Sequence, residues 1–211
     1  MRGLYAIADV DFLTGLGVQP LAFVERLIAA RPAALQLRAK SSSARDTLAL
    51  LSAVQARCDG AGIAFFANDR PDLALLAGCR GVHLGQADLS PEDARRVAPG
   101  LELGLSSHTF PELESALAAS PAYVAFGPVF ATTTKPDAEA VVGLEALAEA
   151  GRRCRRAGVP LVAIGGLTFE RAARVTGLSD AAAAISALWP TGGLGEVEAA
   201  ARQLHLVLGG Q

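Results

Sequence analysis

Residues 65–88, FFANDRPDLALLAGCRGVHLGQAD, decide the fold. A brief apolar run over 64–67 stops at Asn68-Asp69, and a second over 81–85 stops at Gln86-Ala87-Asp88. Between them, residues 72–77 carry helix formers over a length that suits only a short crossover. A strand, a helical crossover and another strand give parallel neighbours whose C-terminal ends lie on the same side. Asp69 and Asp88 then stand side by side on one rim. Two carboxylates with an amide beside them suit Mg²⁺, which keeps several waters and takes its remaining oxygens from a substrate phosphate. Asp is also a common helix N-cap, so these two could instead serve the helices that follow.

The same rhythm continues on both sides. Residues 4–8 read as a strand ending at Asp9, and residues 19–30 as a helix with Leu21, Val24, Leu27 and Ile28 on one face. Residues 34–39 form the second strand, with Gln36, Arg38 and Lys40 on the inward face and Leu35, Leu37 and Ala39 on the other. Polar residues facing inward from a buried parallel strand are unusual, because such strands normally read as continuous apolar runs. Ser41-Ser42-Ser43 opens a helix through Cys58 that Gly60 and Gly62 close. Ser90-Pro91 opens another helix, and residues 101–105 give a strand ending in Ser106-Ser107-His108. A helix over 109–119 and a strand over 123–127 lead into a polar loop, Thr132-Thr133-Thr134-Lys135-Pro136, that lasts until Gly143. A helix over 144–157, a strand over 160–164 ending in Gly165-Gly166, and a helix from Thr168 follow. A strand over 181–185 leads to Ser186, and a helix over 197–208 ends the pattern. Eight strand–helix units without a linker predict a single-domain (β/α)8 TIM barrel over residues 1–211. An open doubly wound sheet fits less well, since it gathers its ligands at one switch point, whereas polar residues here end nearly every strand.

Composition narrows the function classes. A net charge of -2 with 19% charged residues offers no footprint for nucleic acid and no polybasic membrane patch. No apolar run approaches the ~18 residues of a membrane span, and the start of the chain lacks the basic-then-apolar pattern of a signal peptide. Cys58, Cys79 and Cys154 are odd in number and widely spaced, which reads as free thiols in a reducing, cytoplasmic compartment. Assembly into a homo-oligomer is left open.

In such a barrel the site lies at the C-terminal rim. The strand ends bring there Gln36, Arg38, Lys40, Asn68, Asp69, Gln86, Asp88, Ser106, His108, Thr132, Thr134, Lys135, Gly165, Gly166, Ile185 and Ser186. Arg38 can fork phosphate oxygens, and Lys40 and Lys135 add point charges. Gly165-Gly166 joined to Ile185-Ser186 falls after strands seven and eight, where barrels often hold a phosphate. The Thr132–Lys135 loop has the profile of a lid. His108 suits a general acid or base or a helix start. His83 points into the barrel, His205 is structural, and Tyr5 and Trp189 are packing aromatics first.

Taken together, these motifs resemble the thiamine phosphate synthase family over nearly the whole chain. The matching pieces are QLRAK at 36–40, NDR at 68–70, GVHLGQAD at 81–88, GLSSHT at 104–109, GPVFATTTK at 127–135, AIGG at 163–166 and ISA at 185–187. Ala8 and Ala131 depart from the residues common there. The resemblance implies a transferase joining a hydroxymethylpyrimidine diphosphate to a thiazole phosphate. On it, Gln36, Arg38, Lys40 and Asn68 hold the pyrimidine and its diphosphate, and Ser106 and Lys135 also contact the diphosphate. Asp69 and Asp88 bind Mg²⁺. Thr132, Thr134, Gly166, Ile185 and Ser186 hold the thiazole phosphate. The resemblance further implies that diphosphate leaves first, so that Arg38, Lys40, Lys135 and Ser106 would carry the catalytic effect with the metal.

Rival readings share the barrel. A thiazole tautomerase would use His108 and has no work for the Gln36/Arg38/Lys40 run or the two aspartates. A non-catalytic binder of thiamine precursors would be free to lose Asp69, Asp88 or Lys135, and all three are present.

Overall fold

The computed structural model describes residues 1–132 and 140–211. Eight parallel strands close into a barrel in sequence order, with β8 hydrogen-bonded back to β1. The strands are β1 (Gly3–Asp9), β2 (Ala34–Arg38), β3 (Phe65–Asn68), β4 (Gly81–Leu84), β5 (Glu102–Ser107), β6 (Tyr123–Phe126), β7 (Leu161–Ala163) and β8 (Ala181–Ala184). The helices around them are α1 (Val10–Gly15), α2 (Pro20–Ala29), α3 (Ala44–Ala61), α4 (Pro71–Leu76), α5 (Pro91–Val97), α6 (Phe110–Ala118), α7 (Gly143–Ala157), α8 (Phe169–Val175) and α9 (Val197–Val207). The predicted barrel is the observed one. Among the described residues no helix is long and apolar enough to cross a membrane.

Helix limits follow local chemistry. Ser43 accepts from Asp46 N–H at the start of α3, and Gly62, at φ +69, ends it in the left-handed region that glycine enters freely. Thr109 and Glu112 make a reciprocal capping box on α6. Several boundaries differ from expectation, and α3 runs on through Gly60 to Ala61. Gln19 is the cap of α2 and not its first turn. Strand β5 runs on to Ser107, so Ser106 sits within the sheet. Helix α1, which is too short to show periodicity, begins directly after β1 because the Asp9 carboxylate accepts from Phe12 N–H. The N-cap reading of the two rim aspartates fails: Arg70 precedes α4, and Ser90 caps α5.

Strand alternation divides the apolar residues into two bodies. Leu4, Leu35, Leu37, Phe65, Val82 and Val124 face outward beneath the helices, which supply Phe23, Leu27, Leu51, Leu147 and Leu204. Inside the barrel are Tyr5, Ile7, Ala34, Phe66, Tyr123, Ala125, Val162, Ala181 and Ala183. The interior holds three large rings because small residues face them. Phe66 pairs in register with Gly81, and Tyr123 with Gly104. A Cβ on Gly104 would sit 2.1 Å from Tyr123 Cζ, and one on Gly81 would sit 2.6 Å from Phe66 Cε1. The rings interlock, with the Phe66 and Tyr123 centroids 5.3 Å apart and edge to face.

Cys58, Cys79 and Cys154 are free and buried, and burial pushes the first two thiols up to about 12 and the third to about 11. His205 on α9 accepts from Leu4 N–H at 3.2 Å, at the opposite end of β1 from the rim. Trp189 packs on Phe23 outside the barrel wall.

The glycine–ring pairing makes a checkable demand. Gly104→Ala should overpack the interior and lower stability by about 1–3 kcal/mol, read as an earlier denaturant midpoint with unchanged slope.

Candidate active site

Above the ring layer the barrel opens into two connected depressions. The deeper, of about 80 Å³, is lined by Gln36, Arg38, Lys40, Asn68, Asp69, His83, Asp88, Ser106 and Ile185 above the hydroxyls of Tyr5 and Tyr123. The wider, of about 280 Å³, shares Lys40, Asp88, Ser106 and Ile185 and adds His108, Thr132, Gly165, Gly166 and Ser186. The structure thus brings together every predicted site residue it describes. Thr134 and Lys135 lie outside the described residues.

The deep pocket is built from polar side chains aimed by their neighbours. Arg38 Nη1 donates to Asp9 Oδ2 at 2.5 Å, and the other Asp9 oxygen caps α1. Asp9 is 4% exposed, so the guanidinium is held against the wall by a buried charge. Lys40 Nζ lies 3.1 Å from Asp69 Oδ2, but this lysine is 51% exposed. An exposed pair of that kind is weak, which leaves Lys40 able to turn toward an anion. Asp69 itself has φ +65, a conformation that Asp tolerates better than most residues, and its N–H donates to His83 O at 2.9 Å. Asp88 Oδ2 accepts from Gly85 N–H at 2.7 Å.

Burial raises the Asp88 carboxyl above its ordinary value, and the Asp69 carboxylate raises it further, while the Gly85 N–H and Lys40 oppose this. Negative charge is therefore crowded on the rim. Oxygen-only donors with surplus charge fit a hard divalent cation such as Mg²⁺. Among the described residues no group of three or more His, Cys, Asp or Glu side chains gathers into a metal cluster; Asp69 and Asp88 are the carboxylates lining the pocket, while Asp9 is engaged by Arg38.

The wider depression has a backbone wall. Gly165 and Gly166 have φ +101 and +63, and a Cβ on Gly166 would lie 2.4 Å from Ala131 O. The segment after β6 lies flat on this turn, with Val129 N–H donating to Ile164 O at 2.8 Å. Arg171 ties the two together, donating to Gly166 O at 2.7 Å with its guanidinium 5.0 Å from the Phe130 ring centroid. His108 Nδ1 is 2.6 Å from Gly127 O, an acceptor only, so the proton sits on that nitrogen. Gln86 donates to Ser106 O at 2.5 Å and fixes the Ser106 backbone.

Sequence reasoning missed Asp9, Tyr5, Tyr123 and Arg171. Asp9 was legible as another polar strand end; Tyr5 read as packing and Tyr123 only as part of its strand, because their hydroxyl partners lie far along the chain.

A closed parallel barrel with cations and carboxylates converging at its C-terminal mouth has the form of a barrel enzyme. Residues 4–188 match the family described as thiamine monophosphate synthase. A thiamine-phosphate synthase of Methanocella arvoryzae is 38% identical over 207 residues, covering 97% of this chain and 94% of the relative. One from Koribacter versatilis is 42% identical over 173 residues and 79% of each chain. The solved thiamine phosphate pyrophosphorylase of Pyrococcus furiosus superposes with a TM-score of 0.84 at 28% identity, covering 98% of this chain and 95% of that one. The chain belongs to the thiamine monophosphate synthase family and is a transferase of thiamine biosynthesis.

The crowded rim predicts a stability effect. Because the Asp88 pKa is raised on folding, its favourable contribution is present below the ordinary carboxyl pKa and is lost as pH rises through the raised value. In EDTA at pH 7, Asp88→Asn should therefore raise the melting temperature by a few degrees while keeping an acceptor for Gly85 N–H. At a pH below the ordinary carboxyl range the gain should vanish.

Proposed function

We propose that this chain couples a hydroxymethylpyrimidine diphosphate to a thiazole phosphate, releasing diphosphate and forming thiamine phosphate. The observation that carries the reading is the convergence of Arg38, Lys40, Asp69 and Asp88 around one pocket, with the Gly165-Gly166 turn across the same mouth. The cations and carboxylates suit a diphosphate with its metal, and the turn suits a second, singly phosphorylated substrate.

On this reading the pyrimidine lies in the deep pocket against Gln36 and Asn68, with its diphosphate toward Arg38, Lys40 and Ser106. Mg²⁺ held by Asp69 and Asp88 would supply positive charge to the departing diphosphate. The C–O bond at the pyrimidine methylene breaks with its electron pair going to diphosphate. The thiazole nitrogen then donates its lone pair to the resulting cation. Arg38 is already oriented by Asp9, so it needs little rearrangement to meet the leaving charge. Thr132, Gly166, Ile185 and Ser186 border the wider depression, where the thiazole phosphate fits. Thr134 and Lys135 belong to the same proposal by resemblance. Three buried free thiols fit a reducing compartment, and the proposed location is the cytoplasm.

The test supplies both substrates with Mg²⁺ or with EDTA and measures thiamine phosphate and diphosphate. Metal-dependent product is expected, with Asp69→Asn slower by ~10²–10³-fold, the scale of one lost preorganised electrostatic stabiliser. Equal rates in EDTA and Mg²⁺ would remove the metal from the mechanism. Isomerisation of the thiazole precursor without coupling would remove the synthase reading.

A further inference from the structure

A chain of hydrogen bonds crosses the barrel beneath the pocket and touches it at both ends. Gln36 Nε2 donates to the Tyr5 hydroxyl at 3.0 Å, and the two tyrosine oxygens are 2.6 Å apart. The Tyr123 hydroxyl is 2.9 Å from His83 Nδ1, and His83 Nε2 is 2.8 Å from Ser106 Oγ. Gln36 and Ser106 lie at its two ends, on β2 and β5.

Proton counting gives the chain a direction. Each phenol has one proton, and burial raises both tyrosines above their ordinary values, so neither gives it up. Tyr5 accepts from the Gln36 amide nitrogen, so the Tyr123 oxygen, 2.6 Å away, is the acceptor its proton meets. Tyr123 must then donate onward to His83 Nδ1. A ring nitrogen that accepts is bare, so the imidazole proton sits on Nε2 and points at Ser106 Oγ. Ser106, whose oxygen now accepts, turns its own proton toward the pocket. With the Gln36 amide nitrogen facing Tyr5, a proton on Nδ1 would reverse the middle of the chain and leave the buried Tyr5 proton without an acceptor.

We propose that Tyr5, Tyr123 and His83 are positioning residues that present Ser106 to the pocket as a hydrogen-bond donor and Gln36 with its amide oxygen turned away from the barrel floor. The arrangement matches a ligand that is anionic at the Ser106 end and carries an N–H donor at the Gln36 end. This deepens the functional reading above and rests on it for the kinetic arm of its test.

The first measurement uses the free protein and needs no substrate. The ¹⁵N resonances of the His83 imidazole report which nitrogen carries the proton, and the expected state is Nε2–H with bare Nδ1. Protonation at Nδ1 in the wild type overturns the proposal. The second measurement is steady-state kinetics of Tyr123→Phe, which removes the central hydroxyl and keeps the ring packed. The expected outcome is a KM for the pyrimidine diphosphate raised about three- to tenfold, the worth of one neutral hydrogen bond, with the KM for thiazole phosphate unchanged. His83→Gln, which keeps an N–H toward Ser106, should retain more turnover than His83→Phe. An unchanged KM for the pyrimidine diphosphate in Tyr123→Phe, or an equal rise in both KM values, overturns the positioning role. If the wild type makes no thiamine phosphate, the functional reading falls alone, and the imidazole resonances still decide the direction of the chain.

Discussion

Everything at the mouth of this barrel depends on how its interior is filled. A closed eight-stranded parallel sheet leaves room for layers of side chains and no more. Here the filling is uneven: Tyr5, Phe66 and Tyr123 occupy one level, and Gly81 and Gly104 yield the space for two of them. The rings close the barrel and place two hydroxyls at the base of the pocket. Above that level the strands carry Gln36, Arg38, Asn68, His83 and Ser106, side chains that a fully apolar interior would have excluded. Packing and polarity are thus separated by depth along the same strands.

The second governing term is electrostatic. Arg38 is neutralised by a buried partner and is therefore fixed, whereas Lys40 is paired in solvent and is free to move. Burial of the Asp88 carboxyl, and after it the nearness of Asp69, makes the charged form of this pair costly in the ligand-free protein. Cost of this kind is characteristic of binding sites, where stability and function pull on the same residues. The nearby apolar wall of Val162, Ile164, Ala183 and Ile185 limits water on one side of these charges and strengthens their interactions with a bound anion.

The fold was legible because strand periodicity and turn signals recur eight times, and closure follows once eight parallel units have no other way to satisfy their edges. The rim was legible because polar residues end strand after strand, and helix capping, the structural purpose such residues can serve, accounts for only some of them. Residues that act through another side chain were hidden. Tyr123 meets Tyr5 across 118 positions, and a tyrosine in a strand reads first as a packing residue. Ser106 was placed one step beyond its strand because serine is a weak strand former, yet the ladder to β6 carries it inside. Arg171 gave no sign, since an arginine on a surface helix is usually solvated.

Asp9 shows how little freedom such a geometry leaves. One oxygen holds the first turn of α1 and the other holds the arginine of the pocket. No replacement serves both duties. Asn or Ser would keep the cap and abandon the guanidinium; Glu would keep the charge on a longer arm and lose the cap. The first helix of the chain and the arginine of the pocket are therefore joined at one carboxylate, and drift at that position would disturb local folding and anion binding together.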